Sequence, residues 1–80
     1  METIAHLYQY SPESGRYFKT HRGSYDVCLL IREAINHQAQ TTFYIRHYVS
    51  YGVSEYTYFN PAGQVITEKA AKVYELLLSN

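Results

Sequence analysis

Tryptophan is absent from this 80-residue chain, and cysteine and methionine occur once each. A lone Cys28 has no intramolecular partner, so no disulfide framework is expected and no oxidising compartment is implied. An excess of either charge is also missing. Seven basic and seven acidic residues cancel, which removes the basic surplus that usually draws a protein to nucleic acid. Long apolar runs are lacking too: the longest, Val27 to Ile31 and Leu76 to Leu78, fall far short of the roughly 20 residues that cross a bilayer. Met1-Glu2-Thr3-Ile4 has neither the basic nor the apolar region of a signal peptide. These absences predict a soluble, cytoplasmic single domain over residues 1–80 with no membrane association.

Catalytic and metal-binding patterns are missing as well. No serine sits in a G-x-S-x-G context, and no glycine-rich phosphate loop occurs. His6, His21, His37 and His47 are scattered without the short spacing of a zinc motif. Cys28 falls beside the apolar stripe of a predicted helix, where a free thiol behaves as a small hydrophobe. The expectation is a protein that is not an enzyme and has no metal and no cofactor.

What the chain has is tyrosine, ten residues in all, many in alternating runs. Tyr8-Gln9-Tyr10, Tyr44 to Tyr48 and Tyr56-Thr57-Tyr58 read as strands. Thr3 to Tyr10 and Arg16 to His21 form a predicted hairpin around Ser11-Pro12-Glu13-Ser14-Gly15. In it, Leu7 and Phe18 face inward, with His6, Tyr8, Tyr10, Tyr17 and Lys19 opposite. Ser24 caps a helix whose stripe is Val27, Leu30, Ile31, Ala34 and Ile35, leaving Arg32 outside it. Thr41 to Ser50 and Val53 to Phe59 form a second hairpin about Tyr51-Gly52.

A two-residue loop there places Tyr56 and Tyr58 with Phe43, Ile45, His47 and Val49. Tyr44, Arg46, Tyr48, Glu55, Thr57 and Phe59 then share the other face. The alternative register would bury Glu55 at large cost, which argues against it. After the turn Asn60-Pro61-Ala62-Gly63 and a short strand, Thr67 caps a last helix with the stripe Ala70, Val73, Tyr74, Leu77 and Leu78. The predicted fold class is α+β: an antiparallel sheet in the order ββ-α-βββ-α, with both helices packed on one face.

That leaves Tyr8, Tyr10, Tyr17, Tyr44 and Tyr48, with Lys19 and Arg46, on an uncovered face. Tyrosine offers a large rigid contact with a polar tip, so this face is the expected protein-binding site. The same face, or an open strand edge, is also where a homodimer would form.

Ser24 to Leu78 resembles a double-stranded-RNA-binding domain in its α-β-β-β-α order. Thr67-Glu68-Lys69-Ala70-Ala71-Lys72 resembles the start of that family's last helix. The resemblance implies phosphate contacts by Lys69 and Lys72. In size, charge balance and architecture the whole chain also resembles the small tyrosine-rich proteins that phages make, anti-CRISPR proteins among them. That resemblance implies a phage or mobile-element inhibitor, acting in the host cell by blocking one defence component. Protein binding is the leading expectation, with nucleic acid behind it, either at Lys69 and Lys72 or as single strands stacked on the tyrosines.

Overall fold

A computed structural model describes residues 4–79, so the expected strand start at Thr3 lies outside the described residues. The elements are β1 (Ile4–Ser11), β2 (Arg16–Ser24), α1 (Tyr25–Asn36), β3 (Phe43–Ser50), β4 (Val53–Phe59), β5 (Val65–Ile66) and α2 (Glu68–Leu78). All strand pairs are antiparallel, in the spatial order β2-β1-β3-β4-β5. The α+β class and the element order are those the sequence predicts.

Local chemistry explains the boundaries. The β1–β2 turn closes with the Gly15 N–H donating to the Ser11 carbonyl at 2.8 Å, and Gly15 takes a φ of 69° that other residues avoid. Ser24 Oγ accepts from the Val27 N–H at 3.3 Å and Thr67 Oγ1 from the Ala70 N–H at 3.1 Å, so each hydroxyl caps its helix. Asp26 and Glu68 add negative charge to the first turns.

The core lies between α1 and the sheet. Ala5, Leu7, Phe43, Ile45 and Phe59 meet Cys28 there, and Tyr25, Leu29, Ile31 and Ile35 pack around them. The expected stripe of α1 is rotated, because Val27 and Leu30 are 42% and 66% exposed. Cys28 and Arg32 point inward instead. The small Cys28 sits against β1, its thiol 3.7 Å from the Ala5 carbonyl, and the Arg32 guanidinium covers the Phe59 ring at 4.5 Å.

Two further expectations are corrected. The second hairpin does turn on Tyr51-Gly52, with Ser50 opposite Val53, but a bulge at Val49 shifts the register by one. Tyr56 and Tyr58 therefore join the face of Tyr44, while Thr57 and Phe59 join Ile45 and Phe43. The burial cost that argued against this register does not arise: Glu55 faces His47 near the end of the strand and stays exposed.

The helices, moreover, do not share a face. α1 covers the Phe43 side, whereas α2 lies on the tyrosine side, where Glu75 meets Tyr10 and Tyr17. Turning Glu75 inward rotates the expected stripe of α2. Ala71 is buried, but Val73 and Leu77 are exposed.

Leu7→Ala should lower unfolding free energy by about 3 kcal/mol, the usual cost of emptying a packed leucine site. Leu77→Ala should change it by less than about 0.5 kcal/mol. Urea unfolding of both variants checks this; equal losses would contradict the orientation of α2.

Candidate functional site

The pleat builds the candidate surface. Pairing of β1 with β3 sets Tyr8 opposite Tyr44 and His6 opposite Arg46. β2 adds Tyr17 beside Tyr10, Lys19 beside Tyr8 and Arg22 beside His6. β4 adds Tyr58 beside Tyr44 and Tyr56 beside Arg46. Seven of the ten tyrosines thus reach one face.

Tyr44 is the hub. Its ring stacks on Tyr8 at 4.6 Å and 12°, and meets Tyr17 edge-on at 4.8 Å. Tyr58 and Tyr56 flank it at 5.4 and 6.0 Å. Such ring pairs contribute beyond the area they bury, by roughly 0.5–1.5 kcal/mol each. Burial raises the Tyr44 hydroxyl pKa, the neighbouring hydroxyls of Tyr8, Tyr58 and Tyr56 add to this, and Arg46 opposes it.

α2 divides the face in two. At the covered end the Tyr17 hydroxyl donates to the Glu75 carboxylate at 2.9 Å and lies 3.2 Å from Thr42 Oγ1. The Tyr10 hydroxyl donates to the Glu75 carbonyl at 3.4 Å and pairs with Ser79 Oγ. Burial raises the Tyr17 pKa well above its ordinary value, and the Glu75 carboxylate holds the proton further. Tyr10 is only 4% exposed. Both were expected to meet a partner; instead both hold α2.

At the open end lie His6, Tyr8, Arg46, Tyr48 and Tyr56, with Lys19 and Arg22 along β2. The Arg46 guanidinium rests on the Tyr48 ring at 4.8 Å, and its Nε donates to Ser54 Oγ at 3.3 Å. His6 stands edge-on to Tyr48 at 5.6 Å and to Tyr8 at 6.4 Å. Both its ring nitrogens are sealed and, among the described residues, without hydrogen-bond partners. Its pKa is lowered, first by burial and then by Lys19, Arg22 and Arg46.

Of the expected site residues, the structure brings Tyr8, Lys19, Tyr44, Arg46 and Tyr48 together. Lys69 and Lys72 are exposed on α2 and stand apart from the open end. Sequence reasoning missed Tyr56, which is 51% exposed, and Arg22. Each is displaced by a one-residue irregularity, at Val49 and at Thr20 respectively. Alternation along β1 already put His6 on this face. Cys28 is buried with a raised pKa, from burial first, which keeps it as the thiol. Among the described residues no group of three or more His, Cys, Asp or Glu side chains is disposed to hold a metal. No helix among them is long and apolar enough to cross a membrane.

The chain matches no protein-family model, no curated protein and no solved structure.

Two outcomes follow from this geometry. Because the folded His6 takes up a proton less readily than the unfolded one, acid favours unfolding. Stability should be flat above pH 6.5, fall as pH drops below it, and level off beneath the lowered pKa. Subtracting the pH–stability curve of His6→Phe from that of the parent isolates the effect; no difference in slope between them would contradict it. Tyr17→Phe should cost about 1 kcal/mol in chemical unfolding through the lost bond to Glu75, with amide exchange accelerated first in α2.

Proposed function

We propose that this protein is a non-catalytic protein-binding module that meets an acidic partner surface with the open half of its tyrosine face. The observation that carries this reading is the make-up of that half. Tyr8, Tyr48 and Tyr56 stand with Lys19, Arg22 and Arg46, while the carboxylate expected beside Arg46, that of Glu55, is on the opposite face. Tyrosine and arginine are the side chains that most often dominate binding at protein interfaces. The positive cluster favours an acidic partner and speeds the approach of one.

Ring usage supports a protein over stacked bases. A single strand needs exposed ring faces. Here Tyr8 and Tyr44 face each other, and Arg46 occupies the face of Tyr48. Tyr8 and Tyr48 thus each have one ring face taken up within the chain, which favours contact through their edges and hydroxyls by side chains and backbone of another protein. Likeness in size and architecture to small phage-made inhibitors makes a host-defence component, of CRISPR type or otherwise, the first partner class to screen.

Affinity capture from lysate of the host cells, followed by titration of the recovered partner, tests the reading. Tyr48→Ala, Arg46→Ala and Tyr56→Ala should each weaken binding by about 2 kcal/mol, roughly thirtyfold. Lys69→Glu, outside the face, should leave it within about twofold, a difference of under 0.5 kcal/mol. A partner indifferent to all three face variants would refute the site. Retention of a single-stranded oligonucleotide below about 10 μM at low salt would favour nucleic acid instead. Light scattering that gave twice the 9.3 kDa chain mass, reversed by the same variants, would make the partner a second copy.

A further inference from the structure

The sheet is open along β2. Among the described residues nothing pairs with the outer edge of this strand, which runs for nine residues from Arg16 to Ser24. On the far side of the sheet, β5 closes part of the other edge by pairing with β4 at Tyr58 and Phe59. The long edge has a definite backbone pattern. In an antiparallel ladder, opposed residues alternate between pairs that exchange hydrogen bonds and pairs whose N–H and C=O groups point away from each other. Tyr10 turns both groups toward the start of β3: its N–H donates to the Thr42 carbonyl at 3.0 Å, and its carbonyl accepts from Thr41 Oγ1 at 3.0 Å. Its partner on β2, Tyr17, therefore turns its own groups outward, and the pair Tyr8 and Lys19 repeats the arrangement. Beyond the extra residue at Thr20, His6 opposite Arg22 repeats it again.

Outward N–H and C=O groups invite another strand, and charge decides which one. β2 has three basic residues, Arg16, Lys19 and Arg22, all exposed, and no acidic one. A second copy laid antiparallel on this edge would bring bases against bases, and like charges directly opposed are unfavourable. An acidic strand meets no such barrier. Lys19 and Arg22 carry their side chains on the tyrosine side of the sheet. Phe18, between Tyr17 and Lys19, points to the other side and is 46% exposed. At Tyr17 the preference changes, because the Glu75 carboxylate accepts from its hydroxyl at 2.9 Å and repels a second carboxylate there.

We propose that the β2 edge takes up an extended acidic segment of a partner protein as an added antiparallel strand. Its carboxylates stand beside Lys19 and Arg22, an apolar side chain beside Phe18 and an uncharged one beside Tyr17. Such a strand presupposes the acidic protein partner inferred above and adds how that partner is held: main-chain hydrogen bonds give affinity, and the alternating side chains give selectivity.

A capped synthetic pentapeptide, Glu-Val-Glu-Val-Thr, titrated at low salt into the ¹⁵N-labelled chain, tests the edge. It should bind with Kd on the order of 1 mM, as expected for about four added backbone hydrogen bonds. At saturation the amides of Tyr17 and Lys19 should exchange with solvent several-fold more slowly, while that of Phe18, which faces β1, is unchanged. N-methylation at the glutamates, whose N–H groups face β2, should abolish binding; N-methylation at the valines, whose N–H groups face away, should not. Lysine in place of both glutamates should weaken binding by about tenfold. Lys19→Pro should abolish it, since proline is tolerated where an edge N–H faces solvent but cannot bond an added strand. Should that variant fail to fold, the two methylated peptides decide the matter on the parent chain. No saturable binding, equal binding of the two methylated peptides, or exchange at Tyr17 and Lys19 that is not slowed would overturn the proposal. A dimer in light scattering that Lys19→Pro returns to 9.3 kDa would give the edge to a second copy and overturn it too. Binding lost in Tyr48→Ala and Arg46→Ala but kept in Lys19→Pro would overturn the edge while leaving the acidic partner on the tyrosine face.

Discussion

Everything in this chain hangs on the alternation of side chains across the central β1–β3 pair. Leu7 and Ile45 oppose each other on one side, Tyr8 and Tyr44 on the other, and a slip of one residue would exchange the two sets. One side therefore has to be dry and the other is free to be aromatic and hydroxylated. α1 satisfies the first side by apolar packing. The second side is furnished almost wholly with rings that cover one another. A small domain buries a modest share of its surface, and self-covering rings extend that share without demanding a second apolar core.

How much of this was legible depends on where the periodicity is unbroken. The alternation from His6 to Tyr10 placed that strand correctly, and the hydroxyl caps at Ser24 and Thr67 were readable because capping is local chemistry. The bulge at Val49 was not, since nothing in Tyr48-Val49-Ser50 distinguishes a regular strand from one that carries an extra residue. That one residue hid Tyr56 and Tyr58 from the face they belong to, and put Glu55 where it does not lie. Helix phase failed for a related reason. Apolar spacing in α1 favoured Leu30, but a tertiary fit between Cys28 and Ala5 set the rotation, and Arg32 came inward with it. Sequence showed which residue types were plentiful; the irregularities decided where they point.

A formal charge of zero conceals a directional arrangement. Lys19, Arg22 and Arg46 bear on His6 at the open end of the aromatic face, whereas Glu68 and Glu75 bear on Tyr58 toward the covered end. Arg32 adds a further positive centre on the reverse side. Bulk composition argues against long-range attraction to a polyanion, and it says nothing about these local fields, which act within about 10 Å at ordinary ionic strength. The electrostatic character of each face is therefore set by the distribution of charge rather than by its sum.

The attachment of α2 has a consequence for how the molecule breathes. This helix buries Ala71 as its one fully enclosed side chain and Ala70, Tyr74 and Leu78 in part, and is tethered through the hydroxyls of Tyr10 and Tyr17 to Glu75 and Ser79. Water competes for hydrogen bonds of that kind far better than it competes for a packed leucine, so α2 is the element whose detachment costs least. Lifting it would uncover the phenols of Tyr10 and Tyr17, the second of which adjoins Tyr44. The protein thus keeps part of its aromatic surface beneath a helix that one carboxylate and one hydroxyl help to hold in place.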